Sequence, residues 1–115
     1  MNNKEIKAPL LKLAIEYWRV IRSYERNLSL IQSAGAMATL KNSERKFLLI
    51  LSENRLQLIN YEGKDYSPNL PITALNSEEF ESNEDLFIVQ MIEPTILDDE
   101  GVVNIGKVIL GRKRD

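Results

Sequence analysis

The chain has 115 residues, 43% hydrophobic and 28% charged, with a formal net charge of −2. Its size fits one small domain, or a helical segment with one small β domain, which is marginally stable alone. It contains no Cys and no His, which excludes disulfides, thiolate zinc sites, thiol nucleophiles and any triad built on imidazole.

Charge is unevenly placed. Residues 1–60 carry ten Lys/Arg against five Asp/Glu, and residues 61–115 carry five against twelve, so +5 and −7 sum to −2. Between Asn76 and Gly101 there are nine acidic residues and no basic one. Such a run is a solvated loop, or an acidic face that steers a basic partner and repels nucleic acid. No apolar run approaches the ~20 residues that span a bilayer. Met1 to Lys7 is polar and does not lead into the apolar core of a secretory signal. The expectation is a cytoplasmic protein that binds neither membrane nor nucleic acid.

In chain order, Pro9 suits the first turn of a helix. From Leu10 the apolar residues step by four and three: Leu10, Ala14, Tyr17, Ile21, Tyr24, Leu28, Ile31. That is a heptad seam, widened by Leu11 and Trp18, with Lys12, Arg19, Arg22 and Arg26 on the other faces. It predicts a helix over 9–32 and requires a partner helix, from the same chain or from a second copy. The aromatics Tyr17, Trp18 and Tyr24 are large anchors, read as core or as partner contacts.

Ser33 to Thr39 is a run of small residues and reads as a connection turning at Gly35. Asn42 or Ser43 would cap a second helix, with Glu44 in its first turn. Phe47 to Leu51 fits a buried helix as well as a buried strand, and a hairpin at Glu53-Asn54 is an equal alternative. Gly63, Pro68, Asn69 and Pro71 then enforce irregular structure. Ile72 to Leu75 reads as a short edge strand and Asn76 to Asp85 as an acidic loop. Leu86 to Ile92 is a strand limited by Pro94 to an edge or end. Asp98-Asp99-Glu100-Gly101 is a turn with Gly101 at positive φ. Val102 to Leu110 is a last strand with a bulge at Gly106. Arg112-Lys113-Arg114 reads as a solubilising tail. The order predicts an α+β protein with segregated halves, a helical hairpin over 1–55 and a small all-β domain over 56–115.

Candidate chemistry is sparse. Glu78, Glu79, Glu81, Glu84 and Asp85 lack the alternating oxygen positions and fixed glycine of a calcium loop. Gly106 to Gly111 lacks the pattern of a phosphate loop. The chain reads as a binding protein without metal, cofactor or catalytic residues.

The order and spacing resemble one family, the GrpE nucleotide exchange factors of DnaK-type chaperones, over roughly residues 9–112. In that family a helix pair is followed by a short strand, a Gly-x-x-Phe-Asp-Pro turn and a small β domain. Here Phe47 to Leu51 would close the second helix, Leu56 to Tyr61 would be the strand, and Gly63, Tyr66 and Pro68 the turn. The resemblance favours helix over hairpin at Phe47 to Leu51. It implies a homodimer with a four-helix bundle, paired through Leu10, Ala14, Tyr17, Trp18, Ile21, Tyr24, Leu28 and Ile31. It implies a contact between the β domain and the ATPase domain of a DnaK-type chaperone, at Met91, Glu93, Asp98, Asp99, Glu100, Gly101 and Asn104.

The sequence departs from the family pattern at several points. Ser67 replaces the turn aspartate and Pro71 stands near the usual His. A Gly-Tyr pair is replaced around Pro94-Thr95, and an Arg-Pro-Ala stretch by Asn104-Ile105-Gly106. Asp98, Asp99 and Glu100 replace basic residues at the β turn, and the long N-terminal paired helix has no counterpart before Leu10. The expectation is an exchange factor whose acidic tip meets a basic patch on a specialised chaperone. The alternative is an adaptor or dimerisation scaffold that has lost exchange activity.

Overall fold

The computed structural model describes residues 3–31 and 34–113, with side chains for residues 8–27 and 35–113. The chain divides into two compact units, Met1–Gln57 and Leu58–Asp115. Two helices come first and the strands follow, as the segregated pattern predicts.

The first unit is a pair of helices, α1 (Asn3–Ile31) and α2 (Ala34–Glu53). The α1 helix starts six residues before the predicted boundary, so Pro9 lies inside it and not at its first position. Its missing N–H removes one bond from an early turn of the helix. Ala34 to Thr39 is helix and not a connection. The alanines and methionine there are strong helix formers. Gly35 is only the second residue of α2, where a glycine costs least. Asn42 and Ser43 therefore lie within the helix and cap nothing. The predicted positions of Leu28, Ile31 and Ser33 fall outside the described side chains.

The α2 helix absorbs Phe47 to Leu51 and ends in a recognisable stop. Arg55 takes the left-handed conformation at φ 60. The Leu56 N–H donates to Leu51 O at 2.9 Å and the Arg55 N–H to Ser52 O at 3.0 Å. This nested pair, with Leu51 and Leu56 both buried, is a Schellman stop, here formed without glycine. It explains why no hairpin forms at Glu53-Asn54. Between the helices, Ile21 and Leu40 are the buried centre, flanked by Tyr17, Ala36, Met37 and Phe47. The rings of Tyr17 and Phe47 lie 4.7 Å apart at 60°. The Tyr17 hydroxyl also hydrogen-bonds with Ser43 Oγ.

The second unit holds β1 (Gln57–Ile59), β2 (Ile72–Ala74), β3 (Leu86–Glu93), β4 (Thr95–Asp98), β5 (Gly101–Asn104) and β6 (Gly106–Arg112). They form two three-stranded sheets, ordered β1-β4-β5 and β2-β6-β3. Val102 to Leu110 is thus two strands in different sheets, broken at Ile105, not one bulged strand. The break is set by packing. A Cβ on Gly106 would lie 2.5 Å from Thr95 Oγ1 and 2.7 Å from Met91 Cε, so the chain crosses between sheets where only glycine fits. Thr95 Oγ1 and the Gly106 N–H both donate to Pro71 O, at 3.0 and 3.2 Å.

Burial in β6 alternates, with Gly106, Val108 and Leu110 inside. In β3 the buried residues Ile88 and Met91 are three apart. Two register shifts against β6, between Ile88 and Gln90 and between Met91 and Glu93, reset the alternation. Together Ile88, Met91, Ile96, Val108 and Leu110 make the core of this unit. The Asn76 side chain extends the parallel β2–β6 pairing: its Oδ1 accepts from the Leu110 N–H at 2.9 Å and its Nδ2 donates to Leu110 O at 3.0 Å. The acidic segment that follows contains a single 3-10 turn, Ser77–Glu79.

Candidate partner-binding surface

The Gly63 turn is structural. Gly63 has φ 84, open to glycine at no steric cost. Its N–H donates to Ile88 O at 2.8 Å, the Ile88 N–H to Lys64 O at 2.9 Å, and the Tyr66 N–H to Leu86 O at 3.0 Å. The turn thus covers the outer edge of β3. Tyr66 is half-buried and Pro68 exposed.

The β4–β5 hairpin carries the acidic tip. Asp98 Oδ1 accepts the N–H of Glu100 at 2.8 Å and of Gly101 at 3.1 Å, which fixes the turn from the side chain. Gly101 has φ 132, a conformation that side chains rarely adopt. Asp99 and Glu100 project as exposed residues. The other expected contact residues are spread over different environments. Met91 is 2% exposed, and its Sδ accepts the Tyr61 N–H at 3.1 Å; it belongs to the core, not to a docking surface. Glu93 is ion-paired with Lys107 at 3.1 Å. Asn104 is half-buried and donates to Pro94 O at 2.7 Å. Only Asp98, Asp99, Glu100 and Gly101 sit together at a tip.

Exposed apolar residues beside the tip were not anticipated. Val102, Val103 and Ile105 are 46%, 38% and 56% exposed. An apolar β run reads as buried from sequence alone, and nothing in Val-Val-Asn-Ile distinguishes an end strand from a central one.

Cations in this unit are largely engaged. Besides Lys107, Arg112 Nε donates to Glu84 Oε1 at 2.7 Å and Lys113 Nζ lies 2.7 Å from Asp65 Oδ1. The Arg112 guanidinium also stacks on the Phe80 ring at 4.9 Å. Arg112 and Lys113 therefore tie the acidic segment and the Gly63 turn to β6, beyond solubilising the chain; Arg114 lies outside the described residues. The hydrogen bond from Arg112, aided by the Glu81 N–H, holds the Glu84 carboxyl below the usual range. Among the described residues, no three acidic side chains come together as a metal ligand set.

The helical seam is consumed in part within one chain. Ala14, Trp18 and Ile21 are buried and so cannot line an interface with another copy. Leu10 and Tyr17 are half-buried. Tyr24 is exposed, and with Leu13 and Val20 it leaves an apolar stripe on α1.

Fold and surface together define an α+β protein whose accessible features, among the described residues, include an acidic, apolar-flanked hairpin and an apolar helix stripe. Comparison with protein-family profiles, curated proteins and solved structures gives no match. No helix among the described residues is long and apolar enough to cross a membrane.

Proposed function

We propose that this chain is a GrpE-like co-chaperone that promotes ADP release from a DnaK-type chaperone, binding the open state of its ATPase domain through the β unit. The observation that carries the reading is the order of elements: a helix pair, a short strand, a glycine turn at positive φ, then a small two-sheet β unit. A factor that prefers the open state weakens nucleotide affinity by that preference alone, so the protein needs no chemistry of its own. The acidic tip at Asp98, Asp99 and Glu100 meets a basic patch on its partner. Two copies pair through α1, on the stripe Leu13, Val20 and Tyr24, which is 65%, 62% and 51% exposed.

The experiment is the release rate of labelled ADP from DnaK-type chaperones, with and without the protein. Faster release from one of them supports exchange. Tight binding without faster release favours the second reading, an adaptor, which the acidic residues at a turn that is basic in the family make the natural alternative. Neither effect ends both readings. Charge reversal at Asp98, Asp99 and Glu100 abolishes binding if the tip is the contact.

A further inference from the structure

The helical unit carries a second accessible surface, on the outer side of α2. Its inner side is marked by Leu40 and Phe47, which pack against α1, and by Leu51, which is buried. Spacings of three and four place Lys41, Arg45, Leu48 and Leu49 in one row away from these, with Lys46 beside Leu49. All five are exposed, Leu48 by 41% and Leu49 by 58%. The cations differ from those on α1, where Arg19 lies 3.4 Å from Glu16 and Arg22 3.0 Å from Glu25. Among the described residues, the side chains of Lys41, Arg45 and Lys46 form no ion pair. No acidic residue stands three or four places from Arg45 or Lys46. Lys41 and Arg45 are a like-charge pair at the spacing where opposite charges would stabilise a helix. The arrangement costs the folded chain stability, and two leucines in the next turns add exposed apolar area to it.

We infer that this face of α2 holds an amphipathic helical segment of a partner protein, one with Asp or Glu at one end and aliphatic residues at the other. Its carboxylates lie over Lys41, Arg45 and Lys46, and its aliphatic side chains cover Leu48 and Leu49. Recognition of this kind reads anchors at helical spacing. The cations set association rate and direction, and burial of the leucines supplies lasting contact. Charge and apolarity together choose the occupant. A nucleic acid has no aliphatic side chains to cover the leucines. Extended polyanions, nucleic acid or anionic membrane, are also repelled by the β unit, where residues 58–115 carry five Lys/Arg against twelve Asp/Glu, hence −7. A short segment answers to the local cations alone, within a screening length of about 8–10 Å. A second copy presenting the same face would bring like charge. This face is separate from the α1 stripe at Leu13, Val20 and Tyr24, so the inference holds whether or not two copies pair there or the β unit meets a chaperone.

The test uses the full chain, isotope-labelled for amide spectra, and fluorescent Ala-based helical peptides of about 20 residues. Each carries Leu at helical spacing in one half and Glu, Gln or Lys in the other. The Glu set binds and the Lys set does not, with amide shifts concentrated between Lys41 and Ser52. K41E/R45E, which leaves helix content unchanged, weakens the Glu set roughly tenfold and lets the Lys set bind. L48S/L49S weakens binding by a similar factor while the salt dependence stays. K12E, which alters charge on α1, changes neither. The inference is overturned by absence of binding to the Glu set, by equal binding of the Lys set, by shifts centred elsewhere, or by a K41E/R45E variant that binds as wild type does. It is equally overturned if an oligonucleotide or phosphatidylglycerol vesicles displace the Glu set from Lys41, Arg45 and Lys46. Self-association of the wild type that K41E/R45E abolishes would also overturn it, since the face would then belong to a second copy.

Discussion

Gly106→Ala tests the packing that separates the two sheets. Gly106 has no positive φ, unlike Gly63 and Gly101, so the added methyl meets atoms and not backbone strain. It would stand 2.5 Å from Thr95 Oγ1, 2.7 Å from Met91 Cε and 3.1 Å from Thr95 N. The methionine end can move, but Thr95 is 0% exposed and its main chain is fixed in β4. Its hydroxyl must leave Pro71 O, which costs about 1–3 kcal/mol for a buried group left unpaired. Overpacking adds about 1–3 kcal/mol. The expected destabilisation is therefore about 3 kcal/mol, measured by urea unfolding from the amide peaks of β3 and β6, with m unchanged. Thr95→Ala removes the closest obstacle, so G106A/T95A should be less unstable than the summed single variants by about 1 kcal/mol or more. A Gly106→Ala variant within about 0.5 kcal/mol of wild type, or strict additivity in the cycle, refutes the close-approach argument.

Ile21→Ala in the helical unit should cost about 2–5 kcal/mol, because Ile21 is buried at the centre of the helix contact; unfolding followed by Trp18 fluorescence checks it. Asn76→Ala removes both side-chain bonds to the Leu110 main chain and should cost about 2 kcal/mol, with faster hydrogen exchange at the Leu110 amide. Arg112→Ala should raise the Glu84 pKa, which an NMR carboxyl titration reads directly. The sign follows from the lowered folded value: the stabilisation is present above the unfolded pKa of about 4.3 and is lost as pH falls through the folded one. L13E/V20E should shift a dimer to monomer in sedimentation while leaving helix content unchanged; an unaltered dimer would place the interface elsewhere.

In the proposed complex, a tip built from Asp98, Asp99 and Glu100 would contribute mainly association rate and partner choice. Salt would therefore slow capture by a basic partner more than it speeds release.

Several features were determined by the sequence itself. Heptad spacing from Leu10 requires a helix, Gly63 and Gly101 require turns, and the Pro/Asn/Gly punctuation separates a helical half from a β half. These are local effects: side-chain periodicity, positive φ and missing donors act within a few residues. Where signals conflicted, tertiary structure decided. Phe47 to Leu51 is helix because Phe47 packs on the facing helix and because α2 continues to a stop at Arg55. Val102 to Leu110 became two strands because Gly106 must pass Thr95 and Met91, residues that sequence distance hides. The same holds for the surface. A seam read from spacing alone does not say which residues one neighbouring helix covers, so Ile21 went inside against Leu40 while Leu13 and Val20 stayed out. Likewise Met91, Val102 and Val103 look alike as apolar strand residues. Sheet position does not separate them, since β3 and β5 are both end strands; tertiary packing does, closing Met91 against Gly106 and Tyr61 and leaving the valines facing solvent.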